Sequence, residues 1–73
     1  MIYEYFKREF EDFKVMIQLN PLNYEILELT IDKAQGISQR KLKADADIYQ
    51  DLVEDDFKSS SPLEFNLLLK GIK

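Results

Sequence analysis

The side chains able to do chemistry here are carboxylates, amines and hydroxyls, because the 73 residues include no Cys and no His. The two residue types that most often act as, or activate, a nucleophile are therefore absent, along with the main ligands of zinc sites. Ser59, Ser60 and Ser61 stand beside Pro62 without a Gly-x-Ser-x-Gly pattern, so they read as a loop leading into an element rather than as nucleophiles. Gly36 and Gly71 are the only glycines, too few for a phosphate-cradling loop or a dinucleotide fingerprint. Asp45, Asp47 and Asp51 match positions one, three and seven of a calcium loop, but Gln50 stands where the turn requires glycine and Asp56 where a bidentate Glu belongs. These acids read better as the solvated first turn of a helix, where they complement its positive end. Paired carboxylates for glycoside-type chemistry need a cleft that keeps one of them protonated, and so short a chain leaves little room for one. No catalytic, metal-binding or cofactor-binding residue is nominated, and a non-catalytic protein is expected.

Charge is more informative than chemistry. The net charge is −4 and the pI about 4.7, which disfavours general attraction to nucleic acid or anionic lipid. Yet residues 33–44 hold Lys33, Arg40, Lys41 and Lys43 with no acid, and residues 45–56 hold Asp45, Asp47, Asp51, Glu54, Asp55 and Asp56 with no base. Arg40, Lys41 and Lys43 are the candidate contact residues. Ala34 to Leu42 partly follows a helix-turn-helix pattern, with Gly36 in the turn. Against it, Asp32 occupies the position where a small packing residue belongs, and three acids follow in the would-be recognition helix. Nucleic-acid binding through this basic segment is the second functional reading. Lysines on an exposed strand edge, discouraging edge-to-edge pairing, explain the same residues more simply.

Positioning these groups falls to three stretches that alternate apolar and polar residues: 13–19, 27–32 and 42–48. A strand sends successive side chains to opposite faces, so each predicts a strand with one buried and one wet face. Tyr3, Phe6, Phe10 and Phe13 recur at helical spacing and predict a helix over 2–12 with an aromatic core stripe. Tyr5, off that face, is a candidate exposed contact. Asn20-Pro21-Leu22-Asn23 predicts a turn between strands. Its rival is a helix start, with Asn20 as cap, Pro21 as first residue and a Leu19–Tyr24 staple. The step Ile26-Leu27 breaks phase and calls for a bulge. Asp47 with Gln50 resembles a capping pair for a helix over 48–57, and Ser61-Pro62-Leu63-Glu64 a capping box. Residues 63–70 also alternate, so helix and fourth strand both stay open.

The expected fold is α+β: a small antiparallel sheet of three, or four, strands in a single domain over residues 1–73, with an N-terminal helix and a second helix near 48–57 covering one face. An all-α bundle is the alternative. The order helix, three strands, helix is similar to that of double-stranded-RNA-binding domains in topology only, since acids stand in the second helix where that family carries lysines. A chain this short buries only about 60% of its unfolded surface. Without disulfides or a metal to staple it, a homodimer is a natural support. The apolar runs are too short for a membrane span, no signal peptide is evident, and a cytoplasmic location is expected. No cofactor or small-molecule substrate is indicated. The leading functional expectation is a module that binds a protein partner, or itself, through a sheet edge or an apolar strip.

Overall fold

The computed structural model describes residues 2–70. In chain order the elements are β1 (Glu4–Glu9), β2 (Phe13–Leu19), β3 (Glu25–Asp32), β4 (Gly36–Lys43), α1 (Ile48–Glu54), β5 (Lys58–Ser59) and α2 (Pro62–Lys70). The strands form one antiparallel sheet in the order β4-β3-β2-β1-β5. The fold is α+β, as expected, and not an all-α bundle. No helix among the described residues is long and apolar enough to cross a membrane.

The β2–β3 hairpin is the centre of the sheet, and it is where alternation in the sequence is clearest. Its turn is built by asparagine. The Asn20 side chain accepts from the Leu22 N–H at 2.9 Å, and Asn23 accepts from the Glu25 N–H at 3.0 Å. Tyr24 takes a left-handed φ of 60° to close it. Asn20 thus shapes a turn and caps no helix. No bulge occurs at Ile26-Leu27, since the register runs unbroken from Leu19↔Ile26 through Gln18↔Leu27 to Phe13↔Asp32. The phase break has another cause: both faces of the sheet are covered. Ile17, Leu19 and Ile26 pack with Leu52 of α1, whereas Met16 and Leu29 pack with Phe65 of α2. Adjacent residues 16 and 17 point to opposite faces, so the two helices lie on opposite sides of the sheet rather than on one. Central strands buried on both faces need not alternate.

The N-terminal helix expected over 2–12 is strand β1. Its residues pair with β2 from Glu4↔Leu19 to Glu9↔Lys14. Helical spacing of aromatics is a weak warrant beside six available ladder positions on a strand already formed. The aromatic stripe dissolves accordingly. Phe6 packs into the α1-side core, Tyr3 and Phe10 are left substantially exposed, and Phe10 stacks on Phe13 at 4.3 Å across the hairpin end. The Arg8 guanidinium lies 4.3 Å from the Phe10 ring centroid, within cation–π range.

The third strand expected over 42–48 lies earlier, at Gly36–Lys43. Gly36 has φ +86°, a conformation glycine adopts without steric cost, and Asp32 Oδ1 holds the turn by accepting from the N–H groups of Ala34 and Gln35. A helix-turn-helix is therefore absent from this segment: it is a β-hairpin.

Helix α1 ends at Glu54 and not at Phe57, because Asp56 turns left-handed with φ 62°. The Phe57 N–H donates to Leu52 O and the Asp56 N–H to Val53 O, the Schellman arrangement. It returns Phe57 to the same core cluster as Leu52. Asp47 caps this helix without a side-chain hydrogen bond, and Gln50 donates to Glu54 instead of reaching back. The terminal segment is a helix. The Glu64 N–H donates to Ser61 Oγ at 3.1 Å, as a capping box requires. The Glu64 carboxylate completes no box, however. It accepts from Lys14 Nζ at 2.6 Å and Lys7 Nζ at 3.3 Å, tying the start of α2 to β1 and β2.

Candidate functional site

The two edges of the sheet are unequal. Beyond β1, the short strand β5 pairs at Phe6↔Ser59 and Lys7↔Lys58, and the Ser60 N–H donates to Tyr5 O at 2.9 Å. Beyond β4 no described strand pairs. In an antiparallel ladder every second residue exchanges both backbone hydrogen bonds with its partner. The Ala44 N–H donates to Tyr24 O at 2.9 Å, which sets the phase. Counting back along the register, Leu42, Arg40, Ser38 and Gly36 bond inward to Ile26, Glu28, Thr30 and Asp32. The backbone N–H and C=O groups of Ile37, Gln39, Lys41 and Lys43 therefore point outward. The edge is regular over its whole length. It carries no proline, its register shows no bulge, and all but Ile37 of its residues are exposed.

The candidate cations sit on this strand but not on one face. Arg40 projects on the α1 side, where its guanidinium donates to Glu28 Oε1 at 3.0 Å. Lys41 and Lys43 project on the α2 side, and among the described residues neither joins an ion pair or a side-chain hydrogen bond. A hollow of about 290 Å³ adjoins the Lys41–Leu42 end of the strand, with Tyr3, Ile26 and Leu27 among its walls. Lys33 lies in the β3–β4 turn, apart from the others.

Tyr5 is not an exposed contact. On β1 it is half-buried on the α2 side, its ring 5.4 Å from Phe65 and its hydroxyl accepting from Gln18 Nε2 at 3.0 Å. The acidic segment forms no ligand cluster: among the described residues no group of three or more acids is placed to hold a metal ion. Asp45 Oδ1 accepts from the Asp47 N–H, and the remaining acids line an exposed turn and helix.

Two titrating groups tie the helices to the sheet. Tyr49 on α1 donates to Glu4 at 2.5 Å, and that bond, with partial burial and the nearby negative charge, pushes its pKa up to about 12. The Lys14 ammonium, with Lys7 beside it, holds Glu64 below its ordinary range against an opposing desolvation. Both are latches rather than reactive groups, since each is satisfied within the fold.

A wider groove of about 800 Å³ lies between the end of β1 and the end of α1, lined by Lys7, Arg8, Glu9, Val53, Asp56, Phe57 and Lys58. It is open and of mixed charge. On the outer face of α2, Leu63 and Leu67 are 68% and 61% exposed. Two leucines fall short of the several hundred Å² that mark an apolar contact patch.

From the sequence a sheet edge is expected but not located: the edge with no described strand beyond it is β4 at Gly36–Lys43, earlier than the alternation at 42–48 suggests. A polar run from Ser38 to Lys41, directly after a turn glycine and without an acid, is the signal for a strand wet on both faces. Compared with known proteins, the chain matches no family model, no curated protein and no solved structure.

Proposed function

We propose that this chain is a non-catalytic interaction module that binds an extended polypeptide segment by adding it as a strand to β4. The observation carrying this reading is the row of outward-pointing backbone groups at Ile37, Gln39, Lys41 and Lys43. Main-chain hydrogen bonds of this kind give an added strand its affinity, and side chains at alternate positions give it specificity. The other sheet edge offers less, because β5 already occupies Tyr5 and Lys7. The enzymatic alternative has no nominated nucleophile, and the basic residues divide between two faces instead of forming one surface for a phosphate backbone.

The test uses proline at the edge. Gln39→Pro removes only an outward N–H, and proline is tolerated on edge strands in that position. It should leave the fold intact by circular dichroism and abolish binding of strand-forming peptides to β4. A Gln39→Pro variant that binds them as well as the parent would overturn the reading.

A further inference from the structure

Resting on that edge reading, we propose that the segment β4 accepts is acidic, carrying Asp or Glu at alternate positions, and is not a second copy of this chain. Lys41 and Lys43 are successive outward-bonding residues, so both side chains rise on the α2 side of the sheet. Neither joins an ion pair or a side-chain hydrogen bond among the described residues, and the acid opposite Lys43 in the register, Glu25, accepts instead from Asn23 Nδ2 at 2.8 Å. An incoming strand places residues two apart directly opposite them, on the same face, at cross-strand distance. Acids at those two positions meet both lysines. The other face of the incoming strand meets Ser38, Arg40 and Leu42, and there Glu28 already engages Arg40 at 3.0 Å. That row calls for β-branched or apolar side chains opposite Ser38 and Leu42. The partner motif is thus a short strand of about seven residues, acid alternating with β-branched.

A second copy fits poorly for the same reason. Two β4 strands paired antiparallel over their full length would match residue 37 with 43 and 39 with 41, which sets Arg40 opposite its own counterpart. Sliding the pair by one step toward the C-terminal end sets Lys41 opposite its counterpart. Like charges directly opposite destabilise a strand pair. One step the other way sets Gln39 opposite its counterpart without such a clash, but β4 carries no acid, so no register between two β4 strands meets Lys41 and Lys43 with carboxylates. The preference is also local: the whole chain carries −4, so a general attraction to polyanions is not expected.

The experiment titrates the full chain with three eight-residue peptides that alternate Val or Thr with Glu, Gln or Lys, and reads protection of the Ile37, Gln39, Lys41 and Lys43 amides. A fourth peptide holds the same number of Glu residues among Gly and Pro, and cannot extend as a strand. The Glu strand should bind about fivefold or more tighter than the Gln strand, with the Lys strand weakest. Exchanging Lys41→Glu and Lys43→Glu together should reverse that order. The milder pair Lys41→Gln and Lys43→Gln should keep binding and lose the preference. Equal binding of the Glu and Gln strands overturns the acidic partner while the edge reading stands. Protection by none of the three strands overturns the edge reading itself. Equal binding of the Gly/Pro peptide reduces the effect to general anion attraction and overturns the proposal. A dimer by light scattering, with those same four amides protected on concentration, overturns the exclusion of a second copy.

Discussion

Phe65→Ala tests how the lower helix is held. Phe65 is fully buried on the α2 side, between Met16, Leu29 and the Tyr5 ring. It is the one buried residue of α2. Truncating a buried Phe costs about 3–5 kcal/mol through lost transfer energy and the cavity left behind. A chain of 73 residues has roughly 4–11 kcal/mol of stability in total. The substitution should therefore remove a large share of it and lower the melting temperature by at least about 12 °C. Leu67→Ala, on the same helix at 61% exposure, is the matched control and should change stability by about 0.5 kcal/mol or less. Urea unfolding followed by far-ultraviolet circular dichroism gives both values, with the slope checking that the transition remains two-state. Equal costs for the two variants would refute the seating of α2 on the sheet, and with it the two-sided core.

Two further outcomes concern pH. Because Glu64 is held below its unfolded value of 4.5 by Lys14 and Lys7, its stabilisation is present above that value and lost as pH falls through the lowered folded one. Glu64→Gln should cost up to about 1 kcal/mol near neutrality, discounted for its exposure. The gap from the parent should close on acidification, and a gap unchanged down to pH 2 would show that the lysines do not act through the carboxylate charge. Tyr49 behaves oppositely. Its raised pKa favours the protonated phenol in the fold, so this contribution is complete below pH 10 and lost as pH rises toward about 12. Tyr49→Phe should remove that alkaline loss in thermal melts taken across the interval, and the Tyr49 ring resonance should titrate with a midpoint near 12.

The legible parts of this fold are those where local and tertiary preferences agree. The alternation of Phe13–Leu19 and the Asn20–Asn23 turn read directly because β2 and its hairpin satisfy both. The Ser61–Glu64 pattern forms its backbone cap, which decides for the helix where the alternation of 63–70 leaves a strand equally open, but nothing nearby in sequence points the Glu64 carboxylate at lysines 50 and 57 positions away. The misread β1 shows the limit. Its apolar residues go to two faces, Phe6 above and Tyr5 below, so period two is masked and an accidental helical spacing stands out. β4 fails for the converse reason: an edge strand wet on both faces carries no apolar period. The alternation over Leu42–Ile48 straddles a strand end, a turn and a helix start. Of the candidate site, the charges of Arg40, Lys41 and Lys43 were visible in the sequence. Their division between two faces was not, because it depends on the strand phase that Gly36 and Ala44 fix.

The central claim is an open, regular β4 edge in a fixed phase, and residue-resolved amide hydrogen exchange of the free chain tests it most directly. The account predicts fast exchange at Ile37, Gln39, Lys41 and Lys43 alternating with slow exchange at Ser38, Arg40 and Leu42. Uniform protection along the strand, or the reverse alternation, would contradict it.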